Sequence, residues 1–448
     1  GEDMDGFHVR NTYAQLEILG VKGDGYEEGV ERTRARVGSS RASQYAAEAA
    51  IADSAEKKRD LDAYEVDLLN NLDRYGFYSV TSHDRLALLP TASLPAITLT
   101  SSLKSPNLST APPAVKALPP PTRSIKEDSR IEKWQRMLVP QQHGFPQWVF
   151  RPSLQDSKLR RRIYKGIPDR WRSVAWMVLL ERMVMKDKRV NIHDECVRLE
   201  RVYREELEKA SPFDIQIDLD VPRTISGHVM FKTRYGQGQR SLFHVLHSFS
   251  LHCLDCGYVQ GMGPITATFL CYVPPVVAYR ALVFLHTSPS YNIHSLFSPG
   301  FPGLLECIYL QEKLTQLAMP DVYNAFKKNM ITSMSYATKW YITLFANTVP
   351  FQTMLRIWDA FLLEGVDVFC VVATAILWVY REYITSSNAS FETILSLLSS
   401  FFVPENEDAF MHWIERTLGN RKIRTLFGEW RREWRTMVSE KREGNALL

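Results

Sequence analysis

The sequence is short of most features that announce an enzyme or a secreted protein. Its 448 residues hold six cysteines, Cys196, Cys253, Cys256, Cys271, Cys307 and Cys370. These are too sparse for a disulfide framework and read as reduced cytosolic thiols. Cys253 and Cys256 form a C-x-x-C pair beside His252. No second cysteine pair completes a zinc site and no βαβ pattern surrounds this one, so both read as packed thiols on a helix over 241–256. The eleven histidines show no metal spacing: His244 and His247 share a helical face near His252 without carboxylate ligands. No metal and no cofactor of the chain's own are expected. A net charge of +4 is too small to argue for nucleic acid. The start is acidic and polar, without a secretory leader. The most apolar run, Val368 to Tyr380, is too short to span a bilayer and reads as a buried core helix. There is no P-loop, no G-x-S-x-G turn and no H-E-x-x-H helix. Gly20, Gly23, Gly25 and Gly29 lack both a preceding strand and a following Gly-Lys-Ser/Thr, so they read as turns.

What is present is ordinary soluble composition, 45% hydrophobic, in a chain long enough for two or three domains. Residues 1–96 read as a partly helical N-terminal extension, with a helix over Tyr26–Leu72 that is solvated or only lightly docked. Residues 97–124 are rich in Ser and Pro and read as a linker. Residues 125–165 lead into a main domain over 166–366. The basic run Arg160, Arg161 and Arg162 there suits a solvated face or acidic phospholipid head groups. From Gly166 onward the spacing is helical with short breaks, and alternating strand patterns are few, so the fold class is all-α. Helices are expected near 304–317, 320–328, 338–347, 350–363 and 366–384, with a proline-marked loop over 288–303. Residues 367–448 supply C-terminal helices. In the last of them Ile423, Leu426, Phe427, Trp430, Trp434 and Met437 follow helical spacing among six basic residues. Docking on the domain is favoured over lying on a membrane, because amphipathicity first of all marks a docked helix.

The stretch from Ile215 to Gly263 organises the rest. Pro222 fixes its own φ and turns Val221 away from the α region, so Arg223 belongs to a loop or a first helical turn, with Asp220 three residues back to orient it. Leu242, Val245, Leu246 and Phe249 mark one face of a helix. That helix ends before Gly257, and Pro264 suits the first turn of the next. Gln260 then occupies a tight turn between two packed helices, an exposed position held rigidly.

These residues also carry a resemblance. Ile217-x-x-Asp220-x-x-Arg223-Thr224, followed by Tyr258-x-Gln260-Gly261-Met262, resembles the paired signature of TBC-domain Rab GTPase-activating proteins. Lys165-Gly-Ile-Pro-Asp-Arg-Trp-Arg172-Ser-Val-Ala-Trp176 is similar to the opening motif of that family. Trp340-Tyr-Ile-Thr-Leu-Phe345 and Arg356-Ile-Trp358-Asp359 through Gly365 resemble its later motifs. The blocks stand in family order, and Ile217–Met262 looks most like the RN-tre-like branch. Val259 stands where many members carry Cys, which removes no catalytic group.

The resemblance implies a two-lobed helical domain that stimulates GTP hydrolysis on a GTP-bound Rab, with Arg223 as an arginine finger and Gln260 as a glutamine finger. Asp220, Thr224, Ile217, Tyr258, Gly261, Met262 and Trp176 would support the finger loops. GTP and Mg2+ would belong to the partner. The chain would be a GTPase activator that regulates vesicle trafficking rather than an enzyme itself, in the cytoplasm, with peripheral contact to endomembranes or the plasma membrane through the basic segments. The alternative is a non-catalytic Rab-binding or membrane-surface scaffold.

Overall fold

The computed structural model of the chain describes residues 3–21, 25–33, 71–78, 85–91, 118, 121, 126–140, 148–188 and 191–448. Helices dominate, in the order α1 (Met4–Leu19), α2 (Tyr26–Thr33), α3 (Glu127–Gln135), α4 (Asp156–Tyr164), α5 (Asp169–Lys188), α6 (Ile192–Leu207) and α7 (Asp214–Asp220). After a 3-10 turn at Val221–Arg223 come α8 (Val229–Lys232), α9 (Gln237–His252), α10 (Met262–Leu270), α11 (Pro275–Thr287), α12 (Ile293–Phe297) and α13 (Pro302–Ala318). The remainder is α14 (Pro320–Lys328), α15 (Ser333–Ile342), α16 (Phe351–Glu364), α17 (Asp367–Val379), α18 (Arg381–Ile384), α19 (Phe391–Leu398), α20 (Glu407–Gly419) and α21 (Arg421–Ser439). Strands β1 (Leu86–Leu89) and β4 (Phe401–Pro404) pair in parallel; β2 (Leu138–Pro140) and β3 (Trp148–Phe150) pair antiparallel. The fold is all-α as expected, with these short pairs as trim. The chain divides into two compact units, Gly1–Ser82 with Pro120–Asp156 and Ile167–Ser288, and His83–Pro119 with Ser157–Gly166 and Pro289–Leu448.

In the first unit α9 is the central element. Leu242, Val245, Leu246 and Phe249 are buried, as their spacing demands, but so are nearly all other residues from Gly238 to Ser250. A helix can be buried all round only if its polar side chains find partners. His247 sets Nδ1 2.5 Å from Asp214 Oδ1, and its Nε2 lies 3.1 Å from the Glu206 carbonyl. Gln239 donates to the Phe231 carbonyl at 2.8 Å, and the Arg240 guanidinium pairs with Glu17 at 2.7 Å. The helix ends at His252, where Cys253 takes extended backbone as the C-cap. Cys256 therefore lies in the following turn and not on the helix expected over 241–256.

The N-terminal region packs closely in this unit. The Tyr13 ring of α1 stacks on Phe243 at 3.8 Å, and its hydroxyl donates to Asp218 at 2.8 Å. Residues 76–78 exchange backbone hydrogen bonds with Gly227 and Val229. Gly20 and Gly25 have φ of 69° and 71°, as turns require. Gly29 instead lies inside α2, where a Cβ would sit 2.1 Å from Met230; it is a packing glycine. Gly23, the helix expected beyond Thr33, and nearly all of the 97–124 linker lie outside the described residues.

In the second unit the apolar run of α17 is buried core, as its composition predicts. The 288–303 stretch is not wholly loop: α12 forms between Pro289 and Pro299. The helix expected over 338–347 starts and stops five residues earlier, as α15, because Leu344 and Phe345 take φ of 48° and 64°. The tail from Phe391 holds three helices, α19, α20 and α21. α21 docks through Ile423, Phe427 and Trp434, with Trp434 against Tyr309 at 5.0 Å. Arg431 reaches Glu306 at 2.6 Å and Asp367 at 2.5 Å. Among the described residues no helix is long and apolar enough to cross a membrane.

Candidate functional site

Two turns of the first unit meet, and each presents an exposed polar side chain. The first follows α7. Pro222 falls in the opening turn of the 3-10 segment, which closes at Arg223 because Thr224 returns to extended backbone. A proline there is at home, since it has no N–H to lose and its φ suits a helical start, but Val221 before it stays in the α region, with φ −52° and ψ −49°, instead of turning away from it. The Arg223 side chain is 64% exposed while Asp220, with which its guanidinium pairs, is 5% exposed. The anchor is fixed and the cation is free to reach outward.

Asp220 does more than hold Arg223. Its second oxygen accepts the Tyr258 hydroxyl at 2.7 Å, and its carbonyl accepts the Thr224 hydroxyl at 2.8 Å. Burial, reinforced by the hydrogen bond to Asp220, pushes the Tyr258 phenol well above its ordinary value, so it stays a donor at any physiological pH. Tyr258 lies two residues before Gln260. One buried carboxylate thus ties the arginine turn to the glutamine turn.

Glycines bring the two backbones together. Gly257 has φ 54°, and a Cβ there would lie 2.1 Å from the Phe213 ring at the head of α7. Gly263 faces Thr224, whose hydroxyl would lie 2.9 Å from an added Cβ. Gly261, with φ 126°, caps α10, and the Met262 N–H donates to the Val259 carbonyl at 3.0 Å, closing the turn around Gln260. Gln260 is exposed. The contacts Phe213–Gly257, Asp220–Tyr258 and Thr224–Gly263 fasten the turns at three successive points.

The remaining predicted positions are structural. Ile217 and Met262 are buried beneath the two turns. Trp176 is wholly buried in α5 against Phe269 of α10 and Tyr272, at 5.7 and 5.1 Å, and so helps to seat α10. Phe213 and Gly263 were not singled out by sequence reasoning. The signal available for them was the run of glycines at 257, 261 and 263, which implies close backbone approach without naming the neighbour. Chemically, the site offers a permanent cation and a neutral carboxamide that can both donate and accept. That pair suits charge stabilisation and positioning of a nucleophile, not proton transfer.

A family model described as Rab-GTPase-TBC domain matches residues 169–385, which include both turns. A TBC domain-containing protein of Schizosaccharomyces pombe is 35% identical over 65% of this chain and 68% of its own length. The TBC1 domain family member whacked of Drosophila melanogaster is 32% identical over 56% of this chain and 64% of its own. The Rab GTPase-activating protein eat-17 of Caenorhabditis elegans is 30% identical over 51% of this chain, which spans only 24% of that relative. Among solved structures, the Ypt/Rab-GAP domain of Gyp1p aligns with a TM-score of 0.51 and 19% identity, over 66% of this chain and 99% of that one, a likeness of fold.

Proposed function

Since the chain belongs to the Rab-GTPase-TBC domain family, we propose that it is a GTPase-activating protein that works on a GTP-bound Rab-family GTPase by inserting Arg223 and Gln260 into the partner's active site. The observation that carries this reading is the Asp220 carboxylate, which holds Arg223 with one oxygen and Tyr258, beside Gln260, with the other. GTP hydrolysis spreads charge over the transferring phosphoryl group and needs an oriented water. Arg223 would meet that charge, and Gln260 would hold the water through its amide and carbonyl ends. GTP and Mg2+ stay with the partner, so the chain is an activator rather than the hydrolase itself. Its place would be cytoplasmic, at the surface of membranes that carry Rabs. The finer assignment to the RN-tre-like branch rests on the Ile217–Met262 motifs, supported by a human ecotropic viral integration site 5 homologue at 29% identity over 56% of this chain.

Single-turnover GTP hydrolysis across a panel of Rabs tests the proposal, with wild type beside Arg223→Ala and Gln260→Ala. Acceleration of a few Rabs, lost in both variants by about 10³-fold or more for the arginine, is the expected result. Rab binding without acceleration would replace it with an adapter role.

A further inference from the structure

We propose that Cys253, Cys256 and His286 form a zinc site at the root of the turn that carries Gln260. Cys253 caps α9, and the chain then makes one tight turn, closed by the Gly257 N–H donating to the Cys253 carbonyl at 2.8 Å. Gly257 follows with a positive φ. His286 comes from the last turn of α11. The ligand atoms of the three residues lie within 4.8 Å of one another, and Cys256 Sγ is 3.4 Å from His286 Nε2. A tetrahedral zinc with Zn–S of about 2.3 Å and Zn–N of about 2.1 Å holds sulfur and nitrogen about 3.6 Å apart, and two sulfurs about 3.8 Å apart. The observed 3.4 Å and the 4.8 Å limit on the other pairs both lie within about 1 Å of those separations. The imidazole is already oriented: Phe249 meets its ring edge-on at 5.3 Å and 82°.

The donor set selects the metal. Two thiolates and an imidazole are the soft and borderline ligands that favour zinc over magnesium or calcium. All three residues are at most 9% exposed, so the site is shielded from solvent. These three ligands leave the fourth tetrahedral position to another donor. A metal there would pin the end of α9 to the end of α11 and fix the point from which residues 257–260 depart. That last consequence rests on the proposed role of Gln260; the metal site itself does not.

The test uses the full chain. Elemental analysis after exhaustive dialysis is expected to find about one zinc per chain. Competition with a chromophoric chelator should show zinc affinity falling roughly tenfold or more in Cys253→Ser, Cys256→Ser and His286→Ala, and unchanged in Cys196→Ser. Wild type that takes up no zinc, even on reconstitution, overturns the proposal, as does equal zinc affinity in the three site variants. Should those variants fail to fold by circular dichroism, wild type decides: zinc added to metal-stripped chain must shield Cys253 and Cys256 from maleimide, read by peptide mass. Unchanged labelling, or a Cys253–Cys256 disulfide in place of metal, sinks the idea. These readouts involve no Rab, so their failure is distinct from failure of the GTPase assay.

Discussion

At the scale of the residue, Asp220 is the pivot. It is buried, and its two oxygens serve different turns. Tyr258→Phe removes one donor from that carboxylate and nothing else. It is expected to cost about 1.5–3 kcal/mol in urea denaturation, the range for a hydrogen bond to a charged group. Wild-type stability in this variant would mean that the link between the turns carries no energy. Arg223 is different. Being mostly exposed, it supports little of the fold, so Arg223→Lys should leave the melting temperature unchanged. Lysine keeps the charge but not the planar fork, and stimulated hydrolysis should fall by about 10²-fold or more. Near-normal stimulation would count against the finger mechanism. Pro222 and Gly261 mark exposed turns around Arg223 and Gln260 in the sequence, but only the resemblance of the surrounding motifs singled out those two side chains. The ring of Phe213 under Gly257 could not be picked out, since that contact joins residues far apart in the chain.

At the scale of the element, the helices were readable where proline marks their start. α14 begins at Pro320 and α16 directly after Pro350, as the spacing predicts. α15 was misplaced because its end is set by positive φ at Leu344 and Phe345. No glycine flags that end, and the Trp358 indole donating to the Leu344 carbonyl at 3.0 Å helps to hold it. The burial of α9 on all sides was also hidden, since His247 and Gln239 look like a polar face until Asp214 and the Phe231 carbonyl are placed opposite them. Within the partly helical N-terminal extension, the position of α1 was not anticipated. Tyr13 is its buried aromatic anchor, beside the Glu17–Arg240 ion pair: Tyr13→Ala loses the stack on Phe243 and the bond to Asp218, and should cost about 3 kcal/mol. Hydrogen exchange should then quicken along Met4–Leu19 first. Unaltered protection there would show that α1 is held by something else.

At the scale of the whole molecule, each compact unit is assembled from three separate stretches of chain, an interleaving that a linear reading of composition does not disclose. One buried acid gives its unit a distinctive response to pH. Glu312 in α13 accepts the Leu448 N–H at 3.1 Å, and burial pushes its carboxyl up to about 7 from an ordinary 4.5. The native state thus holds this proton more tightly than the unfolded chain. The stabilisation is complete below the ordinary value and is lost as pH rises through the native one. Between pH 5 and pH 8 this group should lower stability by about 2 kcal/mol. Glu312→Gln should remove that decline, as measured by urea denaturation at the two pH values; an unchanged difference between them would refute it. The parallel pairing of β1 with β4 has a consequence for biosynthesis. Leu86 meets Phe401, so the first strand leaves the ribosome some 300 residues before its mate. At typical translation speeds of about 5–20 residues per second, its Leu-Ala-Leu-Leu edge waits roughly 15–60 s without its partner, long enough to make this ladder a late event and the nascent chain a natural client for chaperones.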